Sequence, residues 1–261
     1  MQEMGTAAMS RSLTSALLAI TLTLGCGGMA LAQAPKPKPA KAKAVDPWDA
    51  IYSAEARKDY ATEVRLLRPL VAKGDAQAQR WLGSSYRDGQ GVAQDYKEAV
   101  RLYRLAAAQG NATAQSNLGV MYDNGTGVAQ DYKEAARLYG LAVAKGNAYA
   151  QSNLASMYSQ GNGVIQDYKE LVRLHKLSAA QGYDRSKNLL AWSYYFWQGV
   201  PQDYVHAHMW WNLAASSLSG EDQKKASTNR DDVAAKMTPA RIAKAQAMAR
   251  KCQASNFEQC D

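Results

Sequence analysis

Three histidines, three cysteines and a few glycine triplets are the parts of this 261-residue chain from which a reaction would have to be built. His206 and His208 stand two apart; helical neighbours at that spacing point about 200° from one another and do not close on one metal ion. His175 is the only other histidine, and no cysteine cluster stands by to complete a ligand set. The triplets GQG, GTG and GNG look like phosphate cradles, but each follows a helical pattern rather than a strand and lacks the Lys-Ser/Thr pair of a P-loop. They read as helix terminators. S-x-x-K, K-T-G and G-x-S-x-G do not occur, which disfavours serine acylation. The expectation is a protein that is not an enzyme, with no catalytic residue, no metal site and no cofactor.

The cysteines belong to a different argument. Leu13 to Leu24 is an unbroken run of apolar, Ser and Thr residues, preceded by Arg11 and followed by small residues. Its length suits the apolar core of a signal peptide and is short for a membrane span; Ala30 and Ala32 supply an A-x-A pattern, so residues 1–32 are expected to be removed and the mature chain to begin at Gln33. Met9 competes with Met1 as the start. Cys26, after Thr23, Leu24 and Gly25, partly resembles a lipobox, and a lipid anchor there is the alternative and the one expected route to a membrane. The expected location is periplasmic or secreted. Cys252 and Cys260 then remain as a possible disulfide in a compartment where such bonds persist.

Residues 33–45 are rich in Pro and Lys and read as an extended linker. Half of the formal charge of +8 sits there, and the rest is spread thinly with acids and bases interleaved, so no nucleic-acid partner is expected. Fifteen Tyr and six Trp against two Phe, with abundant Ala, favour closely packed helices over sheet.

Those helices are marked by a repeat. Gln94-Asp95-Tyr96 recurs as Gln130-Asp131-Tyr132, Gln166-Asp167-Tyr168 and Gln202-Asp203-Tyr204, and Leu82, Leu118, Leu154 and Leu190 keep the same step of 36 residues. Each unit predicts two helices. The first has Ala78, Leu82 and Tyr86 on one face and ends at Gly89 and Gly91. The second opens on a capping box, Asp95 with Glu98, Asp131 with Glu134 and Asp167 with Glu170, whereas His206 replaces the Glu in the fourth unit. A lone unit buries too little to offset the ordering of its backbone, so units must stack. The expected fold is all-α, an α/α superhelical solenoid: a degenerate helical pair at 46–73, repeats at 74–109, 110–145, 146–181 and 182–217, and cap helices at 218–261.

The blocks running from Gly110 to Gly146 and from Gly146 to Gly182 resemble Sel1-like repeats, relatives of tetratricopeptide repeats. The resemblance implies an adaptor that binds a polypeptide on its concave face and carries out no reaction. Because some proteins with such repeats have been assigned penicillin-hydrolysing activity, a cell-wall-directed hydrolase stays open as an alternative, beside a carbohydrate- or muropeptide-binding module and a purely structural oligomer. The fourth unit departs from the pattern: Trp197 stands where Gly is expected and Pro201 precedes Gln202, so its turn is expected to differ.

If the first helix of each unit lines the concave side, as the resemblance implies, the partner-binding stripe runs through Gln77, Arg80, Ser84 and Arg87; Thr113, Ser116, Val120 and Asp123; Tyr149, Ser152, Ser156 and Ser159; then Arg185, Asn188, Trp192 and Tyr195. These columns vary while their neighbours stay fixed, as a surface freed from packing does. Asn117 and Asn153 lie beside the stripe and are expected either to offer amides to an extended peptide or to serve as interhelical links. Arg80, Arg87 and Arg185 offer charge-assisted contacts; Trp192, Tyr194, Tyr195, Phe196 and Trp197 with Trp210 and Trp211 could offer an aromatic floor, but most of them are expected to close the core of the last repeat.

Overall fold

The computed structural model describes residues 46–257 and 259–260. The expected signal peptide, Met9, Cys26, Gln33 and the linker lie outside the described residues. Those residues form twelve helices and no strand: α1 (Pro47–Ala56), α2 (Tyr60–Ala72), α3 (Ala76–Asp88), α4 (Tyr96–Ala108), α5 (Ala112–Asn124), α6 (Tyr132–Val143), α7 (Ala148–Gln160), α8 (Tyr168–Ala180), α9 (Asp184–Phe196), α10 (Tyr204–Ser217), α11 (Gly220–Ala234) and α12 (Pro239–Ala254). Consecutive helices pack on one another from α1 to α11, and α12 returns to α10, giving a helical solenoid.

Side chains set where most of the helices begin, α9 and α11 excepted. Asp75, Asn111 and Asn147 accept from the amides of Ala78, Ala114 and Ala150 at 2.8–2.9 Å and start α3, α5 and α7. Asp95 and Asp131 accept from the Glu98 and Glu134 amides at 3.0 Å to start α4 and α6. The expected capping box is only half made. Glu98, Glu134 and Glu170 turn forward, each gripping an arginine one turn on (Arg101, Arg137, Arg173) at 2.6–2.7 Å. The amides of Asp95, Asp131, Asp167 and Asp203 instead donate to the carbonyls of Tyr86, Tyr122, Tyr158 and Tyr194, which ties the second helix of each unit to the end of the first.

First helices end in the left-handed conformation at Gly89, Gly125, Gly161 and, in the fourth unit, Trp197 with φ 64°. The fourth turn was expected to differ; its backbone instead follows the other three, at the cost of holding a bulky side chain where glycine is at ease. A second glycine in each loop has another task. A Cβ on Gly163 would stand 2.2 Å from the Tyr132 carbonyl oxygen, and one on Gly199 2.0 Å from that of Tyr168, so each loop presses on the start of the preceding unit's second helix.

The interior repeats with the period. Tyr103, Tyr139, His175 and Trp211 fill one buried column; the first two face Gly83 and Gly119, and Ala155 and Ala191 hold the equivalent positions in the third and fourth units. Tyr comes with Gly because a Cβ at Gly83 or Gly119 would approach the Tyr103 or Tyr139 ring to 2.8 or 2.7 Å. In the last unit Lys187 takes the place of Gln79, Gln115 and Gln151; it is buried, pairs with Asp184 at 2.8 Å and lies 4.1 Å from the Phe257 ring. Phe257 is set there by a loop closed by the Cys252–Cys260 disulfide, eight residues apart. Breaking that bond frees the loop in the unfolded chain, so the double substitution Cys252→Ser, Cys260→Ser should cost about 2–3 kcal/mol. Equal urea midpoints for the two proteins would overturn this expectation.

Candidate functional site

The variable columns of α5, α7 and α9 meet in two adjoining clefts. The first, about 240 Å³, is lined by Val120, Asp123, Asn124, Tyr139, Tyr149, Asn153, Ser156, Gln160, Asn162 and Arg185 among others. The second, about 390 Å³, is lined by Ser156, Ser159, Gln160, His175, Arg185, Leu189, Trp192, Phe196 and Gln198, with Leu171 and Ser193 beneath. Ser156, Gln160 and Arg185 belong to both, so the face continues across three units.

The first cleft is polar and holds one carboxylate. Burial raises the Asp123 pKa, partly offset by the Tyr139 hydroxyl, which donates to it at 3.5 Å, and Asp123 forms no ion pair among the described residues. Burial likewise raises the Tyr139 phenol and, in the first unit, that of Tyr103, whose hydroxyl shares a 3.0 Å hydrogen bond with Ser84. Arg87 forks onto Asp88 at 2.7–2.8 Å, which holds its pKa above the usual range. Gln77 is exposed and donates to the Tyr52 hydroxyl at 3.0 Å. Thr113 and Tyr149 are exposed, and the Tyr149 ring meets Tyr183 edge-on.

Several stripe positions are corrected. Ser116 and Ser152 are buried, with hydroxyls that find no partner, because the column they share turns inward once the helices stack. The longer Arg80 occupies the same column and reaches out over Trp81, 5.1 Å from its ring. Asn188 is taken internally, accepting from Trp211 Nε1 at 3.0 Å. Asn153 lines the first cleft, but its amide nitrogen is enclosed beside Tyr139 and does not point to a peptide. Asn117 lies beside the Tyr103 hydroxyl in the same way.

The aromatic cluster divides. Trp210 and Trp211 are buried, and Tyr194 stacks on His206 at 4.8 Å. Trp192 bridges core and surface, edge-on to Trp211 at 5.0 Å and stacked on Phe196 at 5.2 Å. Phe196 and Trp197 are 58% and 74% exposed. Tyr195 is held against Tyr204 and bonded to Lys236.

The histidines serve the fold. His206 faces Asp203 at 2.7 Å, His175 is enclosed beside Ser186 at 3.3 Å, and His208 is buried. The described residues hold no group of three or more His, Cys, Asp or Glu placed to bind a metal.

Cleft residues outside the stripe were legible in one column. Asp88, Asn124, Gln160 and Phe196 vary from unit to unit as strongly as the stripe does, and the last three line clefts. Tyr139 and His175 gave no such signal, because their column reads as core.

A family model described as Sel1 repeat matches residues 76–111, 112–147, 148–183 and 185–217. Among solved structures the chain is similar to a Sel1 repeat protein from Oxalobacter formigenes, with TM-score 0.67 and 26% identity over 79% of this chain and 82% of that one. It is also similar to c5321, described as a protective antigen of uropathogenic Escherichia coli strains displaying an SLR fold, with TM-score 0.46 and 21% identity over 82% of this chain and 63% of that one. No match is found among curated proteins. With four consecutive matched units spanning more than half of its length, the chain belongs to the Sel1 repeat family.

Proposed function

We propose that this protein is a non-catalytic scaffold of the cell envelope that holds a polypeptide along the face built by α3, α5, α7 and α9. Sel1 repeat proteins generally act as protein–protein interaction scaffolds. The observation that carries the reading here is the pair of adjoining clefts: side chains that vary from repeat to repeat converge there, on a face that runs across three units. Second-helix surfaces are otherwise engaged, their Glu and Arg side chains paired with each other. The Cys252–Cys260 bond supports an oxidising compartment, in keeping with the signal peptide expected from the sequence.

A photo-reactive amino acid at Ser156, inside both clefts, should capture a polypeptide in intact cells, whereas one at Leu105, exposed on α4, should not. Adducts at Leu105 alone, or at neither position, would remove the groove reading. Mass spectrometry of the mature chain should find Gln33 at its start; a lipid-modified Cys26 or an uncleaved N-terminus would count against it.

A further inference from the structure

Trp197 is held against its own backbone preference. Its φ of 64° is the left-handed conformation that the other three units give to Gly89, Gly125 and Gly161, and a bulky residue adopts it only under constraint. Packing does not offset that cost. The side chain is 74% exposed, makes no hydrogen bond or ring contact among the described residues, and lines neither of the two clefts. A residue that is both strained and exposed is of no use to the fold and points to a task outside it.

A second departure lies on the same edge. Ile165 is 90% exposed where the other units have Ala93, Ala129 and Pro201. Gly199, two residues after Trp197, presses on the carbonyl of Tyr168, and Tyr168 follows Ile165 by three residues, so the two loops adjoin. Phe196, more than half exposed, extends the apolar tip. Residues 157–166 and 193–202 carry no charge, whereas the equivalent stretches hold Arg87 and Asp88 in the first unit and Asp123 in the second.

Lysine flanks both tips. The glycine contacts that brace the loops bring Gly163 against the main chain of Tyr132 and Lys133, and Gly199 against that of Tyr168 and Lys169. Both lysines are exposed and make no ion pair among the described residues. The carboxylates nearby are engaged: Asp131 and Asp167 accept from first-turn amides at the positive ends of α6 and α8, Glu134 and Glu170 grip Arg137 and Arg173, and Asp203 holds His206.

Projecting side chains of this kind suit a soft surface rather than a groove. Trp and an aliphatic tip enter the boundary between headgroups and acyl chains, while lysines beside them stay at the level of the phosphates. The chain carries a formal charge of +8, which draws it to an anionic surface before the tips engage.

We propose that this loop edge docks on an anionic phospholipid bilayer, with Trp197 and Ile165 entering the interface and Lys133 and Lys169 meeting headgroup phosphates. The site is separate from the polypeptide face and does not depend on the scaffold reading.

The test uses the full chain and vesicles of phosphatidylcholine with or without phosphatidylglycerol. Cosedimentation should be stronger with phosphatidylglycerol and weaken in high salt. Trp197→Gly restores the residue of the other three units, so it should leave the urea midpoint unchanged or raise it, yet weaken partitioning about 10-fold or more; Ile165→Ser should do much the same to partitioning. Lys133→Gln and Lys169→Gln should each cost about 5-fold, and Leu105→Ser, on the outer side of α4, should cost nothing. Bromine-labelled acyl chains should quench the tryptophan emission of the wild type and lose most of that effect in Trp197→Gly. Because the quenching reads Trp197 itself, it is independent of any other segment that reaches the vesicle. Equal quenching of the two proteins overturns the proposal, as does absence of binding to phosphatidylglycerol vesicles. A dimer that Trp197→Gly converts to monomer would assign the edge to a second copy instead, and a polypeptide captured in cells by a photo-reactive amino acid at position 165 would assign it to a protein.

Discussion

Gly163→Ala should lower stability by about 2–4 kcal/mol, whereas Gly161→Ala, two residues earlier, should cost about 1 kcal/mol. Both glycines hold a positive φ, 68° and 74°, so a side chain meets the same conformational penalty at each, roughly 1 kcal/mol. What differs is the neighbour. A Cβ on Gly161 finds nothing closer than 3.8 Å, while one on Gly163 would lie 2.2 Å from the Tyr132 carbonyl oxygen and 2.8 Å from the Lys133 nitrogen. Main chain at the start of a helix does not step aside as a flexible side chain does, so the contact between repeats must open, adding about 1–3 kcal/mol of overpacking strain. Chemical denaturation of the two variants checks this; equal losses would show that the loop does not brace the preceding repeat.

The second large effect is acid sensitivity seated at His175. Burial first, then the nearby charge of Arg185, depress its pKa to about 3, far below the ordinary value of 6.5. Between those limits the unfolded chain binds a proton that the folded one refuses, so stability falls as pH drops below about 6.5, by about 2 kcal/mol at pH 5 from this residue alone. His175→Tyr would restore the side chain of the first two repeats, but by itself it should destabilise, because Ala155 holds the position that is glycine opposite Tyr103 and Tyr139. Adding Ala155→Gly should recover most of the loss and leave a protein with a flatter stability profile between pH 6.5 and 5; the buried His208 supplies what slope remains. An unchanged slope in the double variant would assign the acid response elsewhere.

Periodicity made the helices legible: the period of 36 fixed α3 to α10, and the N-caps at Asp95, Asp131 and Asp167 were read from residue type and spacing. Three features were not. The Glu of each capping box also has an arginine one turn on, and the ion pair prevails, which the box spacing does not reveal. Ser116 and Ser152 read as surface because their column varies from unit to unit, yet a small hydroxyl fits a close approach of stacked helices that only the three-dimensional arrangement defines. Tyr139 reads as core and is core, but one edge of it walls a cleft, a double role that no pattern along the chain displays.

The last repeat differs from the others on its outer side. Where three second helices carry a Glu–Arg pair, α10 has His206 and Met209, with Met209 buried, and α11 and α12 cover α10. A helix clad on every flank offers no stacking platform to a further unit, so the array is finished at that end. Its length is open to change only upstream of α9, and a duplicated unit placed there would lengthen the molecule while the terminal seal stays intact.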